Sequence, residues 1–226
     1  MDIPALEEHG AVRVTSALTP ATSQRLWSDL PVLGGSQVPG RRLTTLGAAR
    51  PLFHPAGAIG RFAAAVLGHV ARPVRAVLFD KRGDLNWTLG WHQDRTIVVK
   101  ARQDCPGFGN WTIKSGLLQV EPPFEIIEQM LTMRIHLDDV DADNAPLLVL
   151  PGSHRAGRLT ADDVTQMTET LTPLTCLAQT GDIWIYRTAV VHRSAAVSRA
   201  GDRRRRVLQV DYSAEELPSQ LEWRGL

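Results

Sequence analysis

The clearest pattern of apolar and polar positions in this sequence lies between Met130 and Leu137. Every second residue is apolar and those between are polar: Leu131, Met133, Ile135 and Leu137 alternate with Thr132, Arg134 and His136. A period of two is typical of a β-strand with one apolar face and one polar face. We therefore predict a strand here, with its polar face either in solvent or inside a barrel.

Shorter signals of the same kind recur along the chain. β-rich stretches bounded by turn residues predict further strands at 10–15, 74–79, 85–91, 146–150, 181–186 and 207–212. Residues 103–116 are rich in proline and glycine, and we predict a long loop there.

Helical signals are fewer and lie mostly early in the chain. Thr19 and Pro20 have the residue types of an N-cap and a first helical position, and apolar residues recur at helical spacing over Pro55–Val70. Thr160 with Asp163 resembles a capping box. Many short strands with two or three helices predict a mainly β protein, a sandwich or barrel with α-helices packed outside.

The composition suits one globular domain over residues 1–226. The chain is 43% hydrophobic and carries a formal net charge of +1. Nucleic acid or an anionic membrane would favour a basic surplus, so we expect neither as a partner. The segment 1–10 lacks the basic start and apolar core of a signal peptide, and Cys105 and Cys176 are predicted to be free thiols. We therefore expect a cytoplasmic protein, either a monomer or a small homo-oligomer.

Two segments far apart in the chain carry the residue types of a metal site. His92 and Asp94 are two residues apart, so on a strand their side chains share a face, and His192 adds a second imidazole. Two histidines and one carboxylate on one side of a metal leave the opposite positions open, as in non-haem Fe(II) oxygenases. Each motif alone is more often structural, but together they predict a metal site.

Four consecutive arginines follow the second histidine, from Arg203 to Arg206. Such a run is usually a solvated or anion-binding surface. On a strand, however, alternation sends Arg203 and Arg205 to one face and Arg204 and Arg206 to the other. One pair is therefore predicted to lie in solvent, and the other pair can turn inward to a carboxylate.

Several blocks, in order, resemble the phytanoyl-CoA dioxygenase (PhyH) family of Fe(II)/2-oxoglutarate-dependent oxygenases. They lie at 91–94, 144–147, 150–154, 181–182 and 192–194, with an arginine beyond, and residues 10–14 and 18–20 resemble the opening strand and helix of the family. The resemblance covers nearly the whole chain. It implies a double-stranded β-helix, the cupin-like jelly roll, with flanking α-helices and a metal at one mouth.

The family resemblance also implies the cofactors Fe(II), 2-oxoglutarate and O₂, and a role for particular residues. His92, Asp94 and His192 match the metal triad and are the implied catalytic residues. Counting from His192 assigns the 2-oxoglutarate arginine to Arg203, whereas matching the last strand assigns it to Arg205, which we prefer. Ser194 and Arg134 are further candidates to contact 2-oxoglutarate. His154 is expected to have a structural role in a turn.

The implied reaction is hydroxylation of an unactivated C–H bond of a small molecule, with release of succinate and CO₂. Asp94 argues against halogenation, because a halide would need the coordination position of the carboxylate, while desaturation stays open. Lys81, Trp91 and Lys114 are candidates for substrate binding, and the substrate class is open. Two alternatives are a cupin-like metalloenzyme that does not use 2-oxoglutarate and a non-catalytic jelly-roll binding protein.

Overall fold

The computed structural model describes residues 1–31, 40–81, 87–196, 204–218 and 220–226. The α-helices are α1 (Ile3–His9), α2 (Pro20–Asp29), α3 (Gly60–Leu67), α4 (Phe124–Glu128) and α5 (Ala161–Thr170), and 3₁₀ segments span Gly47–Phe53 and Ser153–Arg155. The strands are β1 (Ala11–Val14), β2 (Gly40–Leu43), β3 (Arg72–Lys81), β4 (Leu89–His92), β5 (Ile97–Val98), β6 (Gly109–Lys114), β7 (Leu117–Glu121), β8 (Leu131–His136), β9 (Leu147–Val149), β10 (Leu174–Cys176), β11 (Ile183–Arg187), β12 (His192–Ser194) and β13 (Arg205–Ser213). None of the helices in these ranges is long and apolar enough to cross a bilayer.

The strands form antiparallel sheets arranged as a double-stranded β-helix, which confirms the predicted fold class. The large sheet has six strands in the order β1-β11-β8-β13-β3-β2. A second sheet has four strands in the order β10-β9-β12-β4, and a third consists of β5-β7-β6.

Strand β8 shows why the large sheet has an apolar face and a polar face. Met133 and Ile135 belong to a core cluster with Leu26 of α2 and Ile59 beside α3, so the apolar face is covered by helices. The polar residues between them, Thr132, Arg134 and His136, are also buried. The polar face therefore looks into the interior, and this resolves the alternative that the pattern left open.

The helix predictions were partly correct. Helix α2 begins where predicted: Thr19 Oγ1 accepts the Thr22 backbone N–H at 3.2 Å, and Pro20 follows in the first turn. The predicted capping box at Thr160 and Asp163 is also confirmed at the start of α5. The predicted helix over Pro55–Val70 was too long, because only Gly60–Leu67 is helical. Helices α1 and α4 carried no pattern that we interpreted.

The prediction of a loop over 103–116 was wrong for its second half. Residues from Gly109 onward form β6, which pairs with β7 across a tight turn at Ser115 and Gly116. Both turn residues have positive φ, 54° at Ser115 and 74° at Gly116. This conformation matches the twist of a two-residue hairpin turn and favours glycine. The glycines therefore mark a hairpin rather than a break in structure.

Candidate active site

The pairing of β12 with β4 brings two distant histidines together. His192 lies directly opposite His92 in the register of these strands, and the ring centroids are 4.4 Å apart. Residues directly opposite each other in an antiparallel pair project to the same face of the sheet. The pairing of these two strands thus brings together histidines that are 100 residues apart in the sequence.

Each histidine is oriented by a backbone carbonyl. His92 Nδ1 lies 2.8 Å from the Gly90 carbonyl oxygen, and His192 Nδ1 lies 3.0 Å from the Val190 carbonyl oxygen. A carbonyl oxygen only accepts, so each Nδ1 carries the proton and donates it. The Nε2 lone pair of both rings is therefore left for a metal, as is usual for histidine ligands with an outer hydrogen bond.

Asp94 lies in the loop that follows β4, two residues after His92, and completes the cluster. One ligand atom from each of His92, Asp94 and His192 lies within 4.8 Å of the others. Gln93, between the first two, is buried on the opposite side. Its amide donates to the Gly157 and Ala189 carbonyls, each at 2.9 Å, and so anchors the loop that holds the ligands.

Arg75 of β3 fixes the carboxylate. Its Nη2 donates to Asp94 Oδ2 at 3.1 Å and its Nε donates to Asp211 Oδ2. Asp211 Oδ1 in turn accepts from Thr132 Oγ1 at 3.0 Å. Burial raises the pKa of Asp94, but the charges of Arg75 and the two histidines outweigh it and lower that pKa to about 2. Asp94 is thus an anion throughout the working pH range.

The electrostatics of His192 also suit a metal ligand. Burial, followed by the neighbouring charge of His92, lowers the pKa of His192 to about 4. A neutral imidazole is the form that binds a metal. The donor set of two imidazoles and one carboxylate fits Fe(II) with open positions.

A cavity lies beside His92, Asp94 and His192, the three candidate metal ligands. It holds about 430 Å³ of space, part of it open to solvent. Besides the ligands it is lined by Phe79, Trp87, Leu89, Arg134, Leu147, Ser194, Arg205 and Gln209. The lining combines apolar walls with two guanidinium groups and so suits a small anion next to a metal.

The cations at this cavity lack carboxylate partners among the described residues. Arg205 is 2% exposed and donates from Nη1 to the Ala145 carbonyl, while its Nε has no partner in the part of the chain that the structure describes. Arg134 donates to Gln209 Oε1 at 2.9 Å, and its Nε is also buried without a partner. Burial and the charge of Arg134 lower the pKa of Arg205. Buried cations without counter-ions are costly, and a bound dianion would relieve that cost.

Lys81 lies beside Arg205 and belongs to the same cationic group. The two residues are opposite each other in the pairing of β13 with β3. Lys81 Nζ donates to Ser194 Oγ at 3.2 Å and to the Trp87 carbonyl at 2.9 Å. Burial, followed by the charges of Arg205 and Arg134, lowers the pKa of Lys81 to about 7. Its predicted role in substrate binding stays a prediction.

Arg204 and Arg206, on the opposite face of β13 from Arg205, point outward. Arg204 makes a bidentate pair with Asp80, at 2.7 Å from both Nε and Nη2, and Arg206 makes a similar pair with Asp138. Both guanidinium groups lie over the Trp27 ring. The predicted alternation is therefore observed from Arg204 to Arg206. Arg203 lies outside the described residues.

The remaining candidate residues are scattered. Trp91 lies outside the cavity, with Arg193 5.0 Å from its ring centroid, and Lys114 is exposed at the end of β6. Their predicted roles in substrate binding stay predictions. His154 has the structural contact expected of it, 3.1 Å from the Glu7 carbonyl oxygen. His136 is buried, and neither of its ring nitrogens has a hydrogen-bond partner within the described parts of the chain.

Sequence reasoning missed the residues that position the ligands. Arg75 is a charged residue within the otherwise apolar segment 74–79. A charge at such a position indicates a buried side chain with a specific partner, and this could have identified it. Asp211 interrupts the last strand in the same way. Gln93 offered no signal beyond lying between two ligands.

The chain belongs to the phytanoyl-CoA dioxygenase (PhyH) family, whose model matches residues 6–206. This confirms the predicted family and supports a dioxygenase-type function. No curated protein sequence matches the chain.

Several solved structures share the fold at low identity. The non-heme alpha-ketoglutarate-dependent epimerase SnoN from nogalamycin biosynthesis is 16% identical, with a TM-score of 0.57 over 96% of this chain and 88% of that one. The carbocyclase SnoK of the same pathway is 16% identical, with a TM-score of 0.62 over 93% of this chain and 81% of that one. HygX from Streptomyces hygroscopicus, with nickel and 2-oxoglutarate bound, is 13% identical, with a TM-score of 0.60 over 93% and 84%. At these identities the likeness shows the fold alone.

Proposed function

We propose that this protein is an Fe(II)- and 2-oxoglutarate-dependent dioxygenase that hydroxylates an unactivated C–H bond of a small molecule. Succinate and CO₂ are the co-products, and residues 1–226 act as a single oxygenase domain. The observation that carries the proposal is the convergence of His92, Asp94 and His192 beside buried cations that lack carboxylate partners among the described residues. Family membership and the alpha-ketoglutarate-dependent structural neighbours support it.

His92, Asp94 and His192 would hold the metal. The carbonyls of Gly90 and Val190 keep both imidazoles in the tautomer with a free Nε2. Arg75 keeps the Asp94 carboxylate ionised and oriented. Bound Fe(II), together with 2-oxoglutarate and O₂, supplies the oxidising chemistry, and the protein supplies binding, orientation and exclusion of water.

The cationic end of the cavity holds the co-substrate. Arg205 presents a buried guanidinium, whose planar fork matches a carboxylate in two parallel hydrogen bonds. Arg134 and Ser194 line the same cavity and contribute further donors. This cationic end also argues against the two alternatives, because neither requires buried cations without counter-ions next to the ligands.

The direct test is an anaerobic titration of the purified protein with Fe(II) and then with 2-oxoglutarate. We expect a visible metal-to-ligand charge-transfer band that is absent in Asp94→Ala and weak in Arg205→Ala. Arg204→Ala is the matched control, since Arg204 faces outward and is expected to leave the band unchanged. Metal binding without a band would favour a metalloenzyme that does not use 2-oxoglutarate, and absence of metal binding would sink the site assignment.

Hydroxylation itself needs a test on the product. Once a substrate is found, we expect one ¹⁸O atom from ¹⁸O₂ in the product and one in succinate. An isomerised or cyclised product without the label would contradict hydroxylation while leaving the cofactor assignment intact.

A further inference from the structure

A groove leads from the metal ligands toward the edge of the large sheet. It adjoins the cavity described above and encloses about 880 Å³ of space, part of it open to solvent. Phe79, Leu89, Asp94 and Gln209 line both the cavity and the groove. The groove is thus an approach to the metal ligands that does not pass through the cationic end.

Arg42 faces this groove because of its place in the sheet. Strand β2 is the edge strand, and Arg42 lies directly opposite Val77 of β3. Val77 alternates along β3 with residues of the helix-covered face and shares its own face with Arg75. The guanidinium of Arg42 therefore projects to the side of the sheet that carries the metal ligands, and it lines the groove.

The described residues leave the guanidinium of Arg42 without a counter-ion. Its Nε is buried, and the residues that the structure describes give it neither a hydrogen-bond acceptor nor a carboxylate within ion-pair distance. Arg75, in contrast, contacts both Asp94 and Asp211. Burial, followed by the charge of Arg75, lowers the pKa of Arg42, and the charge of Asp94 acts in the opposite direction. An unpaired, partly desolvated guanidinium is a ready partner for an oxyanion.

Part of the groove wall between Arg42 and the metal ligands is apolar, while Arg75, Ser115 and Gln209 add polar groups to the lining. Val77 and Phe79 line it, and Leu89 is 47% exposed at its rim. Gly40 adds no side chain, and a Cβ there would approach Phe79 Cε1 to 3.0 Å. This apolar part of the wall can accommodate an apolar portion of a substrate between Arg42 and the metal ligands.

We propose that Arg42 binds the oxyanion of the substrate, so that the natural substrates are small molecules with an apolar body and a carboxylate or phosphate end. The inference rests on the proposed function, since it takes the groove as the path of the substrate to the iron. It gives Arg42 a role in substrate selection that is separate from co-substrate binding at Arg205.

A second groove, beside α5, is a weaker candidate. It is lined by Trp91, Arg95 and Thr165 among others, but the guanidinium of Arg95 already donates to the Leu159 carbonyl. It therefore offers no comparable unsatisfied charge among the described residues.

The test compares probes of matched shape that differ in charge. The protein is loaded anaerobically with Fe(II) and 2-oxoglutarate, which occupies the Arg205 site, and is titrated calorimetrically with 3-phenylpropionate, phenethyl phosphate or 3-phenylpropionamide. We expect at least one of the two anions to bind about tenfold or more tightly than the amide. The preference between the two anions identifies the oxyanion.

Matched variants locate the effect. Arg42→Met keeps the aliphatic stem and is expected to abolish the preference for the anion, while Arg42→Lys keeps part of it. Arg41→Ala is the control, because Arg41 lies opposite Leu78 and projects to the other face of the sheet. Equal binding of anions and amide by the unaltered protein, no binding of either anion, or a preference that survives Arg42→Met would each overturn the proposal.

The charge-transfer band is recorded on the same samples. A band with no preference for the anion refutes the role of Arg42 alone. Loss of the band in the unaltered protein refutes the proposed function instead.

Discussion

The two faces of β13 place the same residue type in opposite surroundings. On the outer face, Arg204 and Arg206 each pair with a carboxylate and lie over Trp27. On the inner face, Arg205 is buried beside Lys81 and Arg134, without a carboxylate among the described residues. The outer arginines are therefore satisfied by the fold itself. The inner one is satisfied only by a ligand, and it is the one we assign to co-substrate binding.

The sharpest way to test this contrast is to truncate one arginine of each face. Arg205→Ala removes the charged partner that we propose for a carboxylate of bound 2-oxoglutarate. Loss of such a buried partner costs about 2–5 kcal/mol of binding free energy. We therefore expect the affinity for 2-oxoglutarate to fall at least about thirtyfold, measured by anaerobic calorimetry with Fe(II) present. Without ligand, the midpoint of thermal unfolding is expected to stay or rise, because an unpaired buried charge is removed. A large loss of stability with unchanged affinity would reverse the assignment of the faces.

On the neighbouring strand β3, Arg75 also faces the interior, where it contacts the carboxylate of Asp94. Arg75→Lys keeps the charge but cannot reach both Asp94 and Asp211 as the planar fork does. We expect the affinity for Fe(II) to fall roughly 10–100-fold, as for other outer-shell partners of metal ligands. The control is Arg72→Lys on the same strand, where the side chain pairs with exposed Glu216. Equal effects of the two substitutions would argue that Arg75 is merely structural.

A smaller effect on the affinity for 2-oxoglutarate is expected when pH changes the charge of Lys81. The pKa of Lys81 is lowered to about 7, so its charge is present below pH 7 and is lost as pH rises through that value. A protonated Lys81 attracts the 2-oxoglutarate dianion, so affinity should decline by a few-fold between about pH 6 and pH 8.5. The pKa values of Asp94 and His192 lie well below this window. Calorimetry across the window should give a flat profile for Lys81→Met, and a flat profile for the unaltered protein would refute the prediction.

The smallest effect is expected from truncation of Arg204 on the outer face of β13. Arg204→Ala removes a partly exposed ion pair with Asp80, which is worth about 0–1 kcal/mol. We expect a small loss in the free energy of unfolding by urea, reduced further at high salt, and an unchanged affinity for 2-oxoglutarate. A drop in affinity comparable to that of Arg205→Ala would abolish the distinction between the two faces.

Much of the fold was predictable because strand alternation is a local property. The polar positions of β8 and the parity of the arginine run followed from the backbone geometry of a strand, and both are observed. The bounds of α3 and the hairpin of β6 were not predicted, because apolar spacing and glycine content are ambiguous over short segments. The three residues of the candidate metal site were named from their chemical types, although each motif alone was weak, and the structure brings them together.

The sequence by itself determined which residue types are present and which of them share a face. It therefore supplied His92, Asp94 and His192 and the alternation of the arginines. Only the tertiary structure decided which face is interior, and which distant strands are neighbours. The pairing of β4 with β12, the contact of Arg75 with Asp94 and the exposure of Arg42 to a groove all depend on contacts between segments far apart in the chain. Alternation is fixed within each strand, whereas burial and strand order are fixed by the packing of the whole domain.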